Sequence, residues 1–343
     1  MGMLSMLRHP KAEGMPSSIS SYSYRRVKVE PLGGDPKRVS PQDKRPWGYL
    51  RKAGVVAAVA VVIFLAIWNH LFAVDVRSLT VESGNMLSPQ STFTVRMNSF
   101  RRNDLLKKSV EHFSTCDCVG QIQVVWSDQK NNPPGLSMFT EGARRKVLFE
   151  VHDTDSLNHR FNITVPIATD GVFSVDDDLR ISCEDLRFGF DTWRSSQTTM
   201  VGFTPRLVTH DPETSLHSYR SWRVARWNGV YNVVLTKCCF LHRDHLRTYT
   251  EKMPRSLLSY IDRHRNCEDL AMSLVVAKYY NTPPLWVSGG VKEIGGDGIS
   301  SSASHFVARG KCIDVFAREF GGMPLLDTSV RVYPMRSRLF SWL

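Results

Sequence analysis

Residues 91–335 contain no internal repeat and no low-complexity segment, which excludes a solenoid or other repeat array. No nucleic-acid-binding module is present either, although the chain carries 44 Lys+Arg against 33 Asp+Glu, a net charge of +11 and a pI of 9.4. The excess has a local origin. Residues 1–52 hold eleven Lys/Arg (8, 11, 25, 26, 28, 37, 38, 44, 45, 51, 52) against four Asp/Glu (13, 30, 35, 43), so +7 of the +11 lies there. That stretch is rich in Ser, Pro and Gly and reads as a disordered, topology-setting tail. Cysteines number only seven, and Cys116-Asp117-Cys118 lacks a second pair at suitable spacing, which excludes a zinc knuckle.

Charge is missing altogether from Ala53 to Val74. These 22 residues match the about 20 apolar residues that a helix needs to cross a bilayer. Asn69 and His70 fall near the far end, and Trp68 suits an interfacial belt. A cleaved signal peptide is the alternative, but the stretch begins after residue 50 and exceeds the roughly 7–15 residue apolar core of such a peptide. With the basic tail before it, the positive-inside rule puts residues 1–52 in the cytosol and the rest of the chain in a lumen or outside. The expected organisation is a cytoplasmic tail (1–52), a transmembrane signal-anchor (53–74), a polar stem (75–90) and one lumenal domain (91–343), type II in topology. About 245 residues suffice for one α/β domain with a substantial core.

Within that domain Thr92–Met97 reads as a strand, Asn103–Phe113 as an amphipathic helix with Leu105, Leu106, Val110 and Phe113 on one face, and Ile122–Trp126 as a second strand. Asn131-Asn132-Pro133-Pro134-Gly135 marks a loop, Lys146–Val151 a third strand, Leu157–Phe161 a short helix and Val172–Val175 a fourth strand. This alternation predicts an α/β fold with a mostly parallel sheet. Farther on, Leu186–Trp193 and Asp269–Tyr280 look helical, whereas Met200–Thr204, Tyr231–Leu235 and Leu285–Val287 look extended.

The fourth strand runs straight into Asp176-Asp177-Asp178. A period of two sends Asp176 and Asp178 to the same side, where they can converge on one cation. Open α/β sheets bind ligands at the carboxyl ends of their strands, and hard oxygen ligands suit Mg²⁺ or Mn²⁺ carrying a diphosphate. Acidic triplets also make solvated turns and helix caps, so the triplet alone leaves both readings open.

More residues join it in order: Phe173-Ser-Val-Asp-Asp-Asp178, a helix ending in Trp193, Val201-Gly-Phe-Thr-Pro-Arg206, Tyr231-Asn-Val-Val-Leu235, Asn266-Cys-Glu-Asp-Leu-Ala-Met272, Arg309-Gly-Lys-Cys312 and Met323-Pro-Leu325. Together they resemble the exostosin C-terminal glycosyltransferases, glycosyltransferase family 64, over essentially the whole lumenal domain. Arg102-Asn-Asp-Leu-Leu-Lys-Lys-Ser-Val110, Asp155-Ser-Leu-Asn158 and the segment from Glu293 to Ser301 are similar to the short plant members, which include a glycosyl inositol phosphorylceramide mannosyltransferase. The resemblance implies a GT-A type fold and metal-dependent transfer of a sugar from a nucleotide diphosphate donor, with retention at the anomeric carbon. It implies Asp178 as the ligand of Mn²⁺ or Mg²⁺, with Asp176 and Asp177 at the ribose and sugar. Asn98, Arg102 and Arg160 fall where the family holds the nucleotide, Asp269 where it places a carboxylate beside the reacting sugar, and Arg309 where an Arg faces the diphosphate. A Cys267–Cys312 disulfide is implied with them. From the residues alone, Asp269 is also a helix cap and Arg309 also a surface cation.

Animal members carry Asn where this chain has Ser127 and Asp155, both donor-contact positions in the family, and His159 replaces the Asn expected before Arg160. These departures favour a donor other than a UDP-N-acetylhexosamine, with GDP-mannose preferred and a UDP-sugar as the alternative. The expected acceptor is a glycan or a sphingolipid head group such as glycosyl inositol phosphorylceramide. The expected setting is a Golgi membrane, as a homodimer or within a Golgi enzyme complex. An N-acetylhexosaminyltransferase acting on a cell-wall or proteoglycan-like glycan, and a noncatalytic scaffold of the same fold, are the competing readings. Asn162-Ile-Thr164 is an N-glycosylation acceptor beside the donor-side helix, where a glycan would crowd the cleft. Trp222 and Trp227, close to Arg223 and Arg226, suit stacking on a sugar, and Tyr231 suits the core.

Overall fold

The computed structural model describes residues 59–65, 91–294 and 303–334. The chain divides into two compact units, Met1–Glu82 and Ser83–Leu343. In the first, residues 59–65 are helical and fall inside the expected signal-anchor; the remainder of that span, the tail and the stem lie outside the described residues. Among the described residues no helix is long and apolar enough to cross a membrane.

The second unit contains strands β1 (Phe93–Ser99), β2 (Val119–Trp126), β3 (Val147–Val151), β4 (Gly171–Asp176), β5 (Leu179–Arg180), β6 (Val201–Gly202), β7 (Pro205–His210), β8 (His217–Arg220), β9 (Val233–Val234), β10 (Cys238–His242), β11 (Leu285–Val287), β12 (Lys292–Glu293) and β13 (Arg331–Val332). Eight of them form one sheet in the order β13-β11-β6-β10-β4-β1-β2-β3. β1 pairs in parallel with both β2 and β4, and β2 with β3. β10 enters antiparallel between β4 and β6. The result is a mixed α/β fold on a large, mostly parallel sheet. β1 alternates apolar and polar residues, yet it is buried along almost its whole length because it lies between two other strands in the sheet.

Helices α1 (Asn103–Ser114), α2 (Glu141–Arg144), α3 (Cys183–Arg194), α4 (Trp222–Asn228), α5 (Arg243–Lys252), α6 (Arg255–His264), α7 (Glu268–Tyr280) and α8 (Ala303–Glu319) complete the unit. α1 buries Leu106, Val110 and Phe113 at helical spacing. α3 starts at Ser182, whose hydroxyl accepts the Asp185 N–H, and buries Leu186, Phe190 and Trp193. It packs closely: a Cβ on Gly189 would meet Phe203 at 2.6 Å and Phe240 at 2.9 Å, so only glycine fits there. A disulfide joins Cys116 after α1 to Cys183 at the start of α3, while Cys118, Cys238 and Cys239 are buried free thiols.

Several elements differ from the expectations. The short helix expected at Leu157–Phe161 is present as a 3₁₀ turn over Leu157–Arg160, whereas the stretches 200–204 and 231–235 contain only the two-residue strands β6 and β9. Helix α5 and the β7–β8 hairpin carried no expectation, and neither did α6, although Leu257 and Ile261 are buried there at helical spacing. In α5, Leu246 and Tyr249 are the only apolar positions among ten residues, and both are buried.

Candidate functional site

The carboxyl ends of β1, β2 and β4 meet the 3₁₀ turn and the first turn of α7. Asn98, Arg102, Ser127, Asp155, Arg160 and Asp176 line one cavity of about 270 Å³ there, together with Arg265 and Glu268. A larger cavity of about 1100 Å³, between the β7–β8 hairpin and the end of α8, contains none of the expected site residues.

Arg96 in β1, which carried no expectation, organises the turn that walls this cavity. It is 1% exposed, and its guanidinium donates to both carboxylate oxygens of Glu150 at 2.8 Å and to Gln123 Oε1 at 2.6 Å. It also donates to the carbonyls of Arg160 (2.7 Å), His159 (3.0 Å) and Asn162 (2.8 Å), so one side chain holds the whole turn that carries Arg160. Burial of the pair is offset by the fork geometry and by full hydrogen bonding. Burial also opposes the charge on Glu150, but the hydrogen bonds and charge of Arg96 keep its pKa below the usual carboxylate range. Because Asn162 gives its carbonyl to Arg96, the backbone of the acceptor sequence Asn162-Ile-Thr164 is itself tied to the core.

Each acid of the triplet that closes β4 meets an arginine. The strand ends at Asp176, and Asp177 and Asp178 form a turn, so the period-two argument stops one residue too early. Asp176 pairs with Arg160. Asp177 is fully buried; it accepts from Ser99 Oγ at 2.8 Å and pairs with Arg102. Burial, and then the neighbouring Asp178 and Asp176, push its carboxyl up to about 6 although Ser99 and Arg102 pull the other way. Asp178 accepts from Arg102 at 2.9 Å and keeps 25% of its side chain exposed. Among the described residues, the one cluster of three metal-ligating side chains is His112, Cys116 and Cys183, whose sulfurs are joined to each other. Asp178 nevertheless fits a dication, because Mg²⁺ or Mn²⁺ needs only one or two protein carboxylates when phosphate and water oxygens complete the sphere.

Opposite lies the start of α7. Cys267 adopts a left-handed backbone with φ of 80°, which costs a non-glycine residue about 1–2 kcal/mol. It is joined to Cys312 of α8, tying together two helices 45 residues apart in sequence. Cys267 is the N-cap and provides no side-chain cap, so Asp269 is not the cap residue itself. Asp269 accepts the Leu270 N–H at 2.8 Å and pairs with Arg309. The two side chains are 9% and 7% exposed, so Arg309 is not a surface cation. Its guanidinium lies 4.9 Å from the centre of the Tyr219 ring.

Neighbouring helical residues point about 100° apart, and this separation sends Glu268 into the 270 Å³ cavity while Asp269 faces Arg309. Glu268 was visible in sequence only as the nearest second carboxylate. Burial, then the charge of Asp269, push its carboxyl up to about 7 against the pull of Arg160 and Arg309. Burial works against the charge of Asp269 too, but Arg309 outweighs it and lowers the pKa. For Arg160, burial is outweighed by Asp176, Glu268 and Asp269, and the guanidinium stays firmly protonated. Arg265, also left-handed with φ of 52°, donates to the Asp155 carbonyl at 2.7 Å and to its carboxylate at 3.0 Å, fixing the far wall. The cavity thus offers several guanidinium donors for anionic oxygens, one carboxyl poised near neutrality and, behind it, an ionised carboxylate.

A family model described as "Glycosyl transferase family 64 domain" matches residues 93–340. "Glycosylinositol phosphorylceramide mannosyl transferase 1" of Arabidopsis thaliana is 39% identical over 264 residues, covering 72% of this chain and 78% of that protein. "Exostosin-2" of Mus musculus is 31% identical over 259 residues, 73% of this chain and 35% of its own length. "Glucosamine inositolphosphorylceramide transferase 1" of Oryza sativa subsp. indica is 33% identical over 227 residues, 64% of this chain and 29% of its own length.

Proposed function

Because the chain belongs to glycosyl transferase family 64, we propose that it is a metal-dependent, retaining glycosyltransferase of GT-A type that moves mannose from GDP-mannose to a glycosyl inositol phosphorylceramide head group. Residues 53–74 anchor it in a Golgi membrane with the catalytic domain in the lumen. The observation that carries this reading is the meeting, at one sheet edge, of a guanidinium-lined cavity with the disulfide-tied Asp269–Arg309 pair.

The chemistry follows from charge. As the glycosidic bond to the diphosphate breaks, negative charge grows on the leaving phosphate and positive charge on the anomeric carbon. Arg309 and Arg102 offer planar forks to phosphate oxygens, and Arg160 holds the Asp176 carboxylate toward the ribose and sugar. Asp178 would hold Mn²⁺ or Mg²⁺, which supplies further neutralisation of the diphosphate. Asp269, ionised and buried, supports the positive anomeric centre without attacking it. A double displacement would need a carboxylate at the sugar's opposite face, and Glu268 lines the same cavity as the residue available for that role.

The rice relative named as a glucosamine inositolphosphorylceramide transferase favours a second reading, in which the acceptor class is kept but the donor is a UDP-hexosamine. A donor panel decides. The purified full chain with Mn²⁺ is assayed for nucleotide release from GDP-mannose, UDP-N-acetylglucosamine, UDP-glucose and UDP-galactose, with Asp178→Asn as control. Release from GDP-mannose alone, lost in the variant, is expected. Release from a UDP-sugar alone overturns the mannose assignment, and release that survives Asp178→Asn overturns the metal role of Asp178.

A further inference from the structure

Helix α4 buries only Ala225. Around the rest of its circumference stand Trp227, 90% exposed, Trp222, 43% exposed, and Val224, 37% exposed, with Arg223 and Arg226 between them. Tryptophan is normally among the more buried residue types, so two on one exposed seven-residue helix mark a surface built for something other than water. Along this stretch of the chain the charge is one-sided. No Asp or Glu occurs between Glu213 and Asp244, whereas Arg220, Arg223 and Arg226 fall within seven residues. Exposed indoles flanked by guanidinium groups suit a membrane interface, where the rings sit at head-group depth and Arg reaches the phosphates. The location matters as well. α4 follows β8 directly, and Tyr219 of β8 is the ring against which Arg309 rests. Three residues of chain, from Tyr219 to Trp222, span at most about 10 Å. A surface docked on α4 therefore lies close to the Asp269–Arg309 pair.

We propose that Trp222–Asn228 docks on the lumenal membrane surface, with Trp222 and Trp227 at head-group depth and Arg223 and Arg226 on the phosphates of inositol phospholipids, presenting the site to lipid-borne acceptors. The proposal rests on the membrane-anchored reading above. It is tested on the full chain with Trp227→Cys bearing an environment-sensitive dye. Cys118, Cys238 and Cys239 are buried and the other four cysteines are disulfide-bonded, so labelling is confined to position 227. The protein is reconstituted in phosphatidylcholine vesicles with or without phosphatidylinositol. The expected result is a blue shift and quenching by lipids spin-labelled at head-group depth, enhanced severalfold by phosphatidylinositol and reduced severalfold by Arg223→Glu with Arg226→Glu. The same dye at Arg145→Cys, an exposed site with 74% of its side chain accessible, should show neither. Vesicle flotation reports the anchor separately. Chain that floats while position 227 stays water-like overturns docking and leaves the anchor standing; chain that neither floats nor is quenched overturns both. A dye that responds to soluble oligosaccharide in detergent but not to lipid also overturns docking, in favour of a sugar-stacking platform.

Discussion

Removing one half of the buried pair between α7 and α8 tests the site most directly. The Asp269 and Arg309 side chains are 9% and 7% exposed, so Arg309→Met strands the Asp269 carboxylate in a low-dielectric setting beside Glu268. Breaking a buried ion pair from one side costs about 3–5 kcal/mol. For a domain of this size each kcal/mol moves the unfolding midpoint by about 2–4 °C, so a loss of ~6–20 °C is expected at pH 7. Adding Asp269→Asn to Arg309→Met removes the stranded charge and should restore much of that loss, with a coupling of about 2–3 kcal/mol in a double-mutant cycle. The pH dependence has a definite sign. Arg309 lowers the folded pKa of Asp269, so the stability this carboxylate contributes is present above its unfolded pKa and is lost as pH falls through the folded value. In Arg309→Met that partner is gone, Asp269 takes up a proton more readily, and the deficit narrows between pH 7 and pH 5. Thermal and urea unfolding of the four proteins in detergent, followed by circular dichroism, measures all of this. Wild-type stability in Arg309→Met, or strictly additive single variants, would refute the buried pair.

Burial and Asp269 push the Glu268 carboxyl up to about 7, so the fold prefers its neutral form. No penalty applies below its unfolded pKa, and one of about 1–2 kcal/mol, discounted for partial exposure to the cavity, grows as pH rises through the folded value. Glu268→Gln should therefore lose less stability than wild type between pH 5 and pH 8 in midpoint-against-pH scans, and parallel curves would contradict the assignment. Arg96→Met should cost about 3–5 kcal/mol by removing the only guanidinium partner, among the described residues, of the buried Glu150 carboxylate, which keeps just His152 and the Thr164 N–H. It should also raise hydrogen exchange across residues 157–162, where Arg96 holds the carbonyls of His159, Arg160 and Asn162. Arg96→Lys keeps the charge without the fork and should fall between the two, and unchanged protection in both variants would count against this role.

Much of the fold was legible because its signals are local. The four strands from Phe93 to Asp176 are alternating or apolar stretches separated by Pro, Gly and polar residues, and each was found within a few residues of its observed ends. The cavity residues were legible for another reason. The resemblance to the family set Asn98, Ser127, Asp155, Arg160 and Asp176 at donor positions, and the structure gathers them around one cavity near the carboxyl ends of β1, β2 and β4. Other parts were not legible. Arg96 occupies a polar position of an alternating strand and looks like a surface residue in sequence, yet its partners stand 27, 54 and 63 to 66 positions away. The acidic triplet was visible but not its geometry, because the turn after Asp176 and the cations that engage each carboxylate depend on how Arg102 and Arg160 pack.

By itself, then, the sequence determined the α/β class, the edge of the sheet that carries the candidate site, the family and the candidate anchor at residues 53–74, since each depends on composition, periodicity or an ordered set of motifs. Tertiary structure decided which charges are paired, which carboxyl is held near neutrality, and that Trp227 is left exposed. Those outcomes turn on burial and on contacts between residues tens of positions apart, such as Asp155 with Arg265 at a separation of 110, which no local pattern encodes.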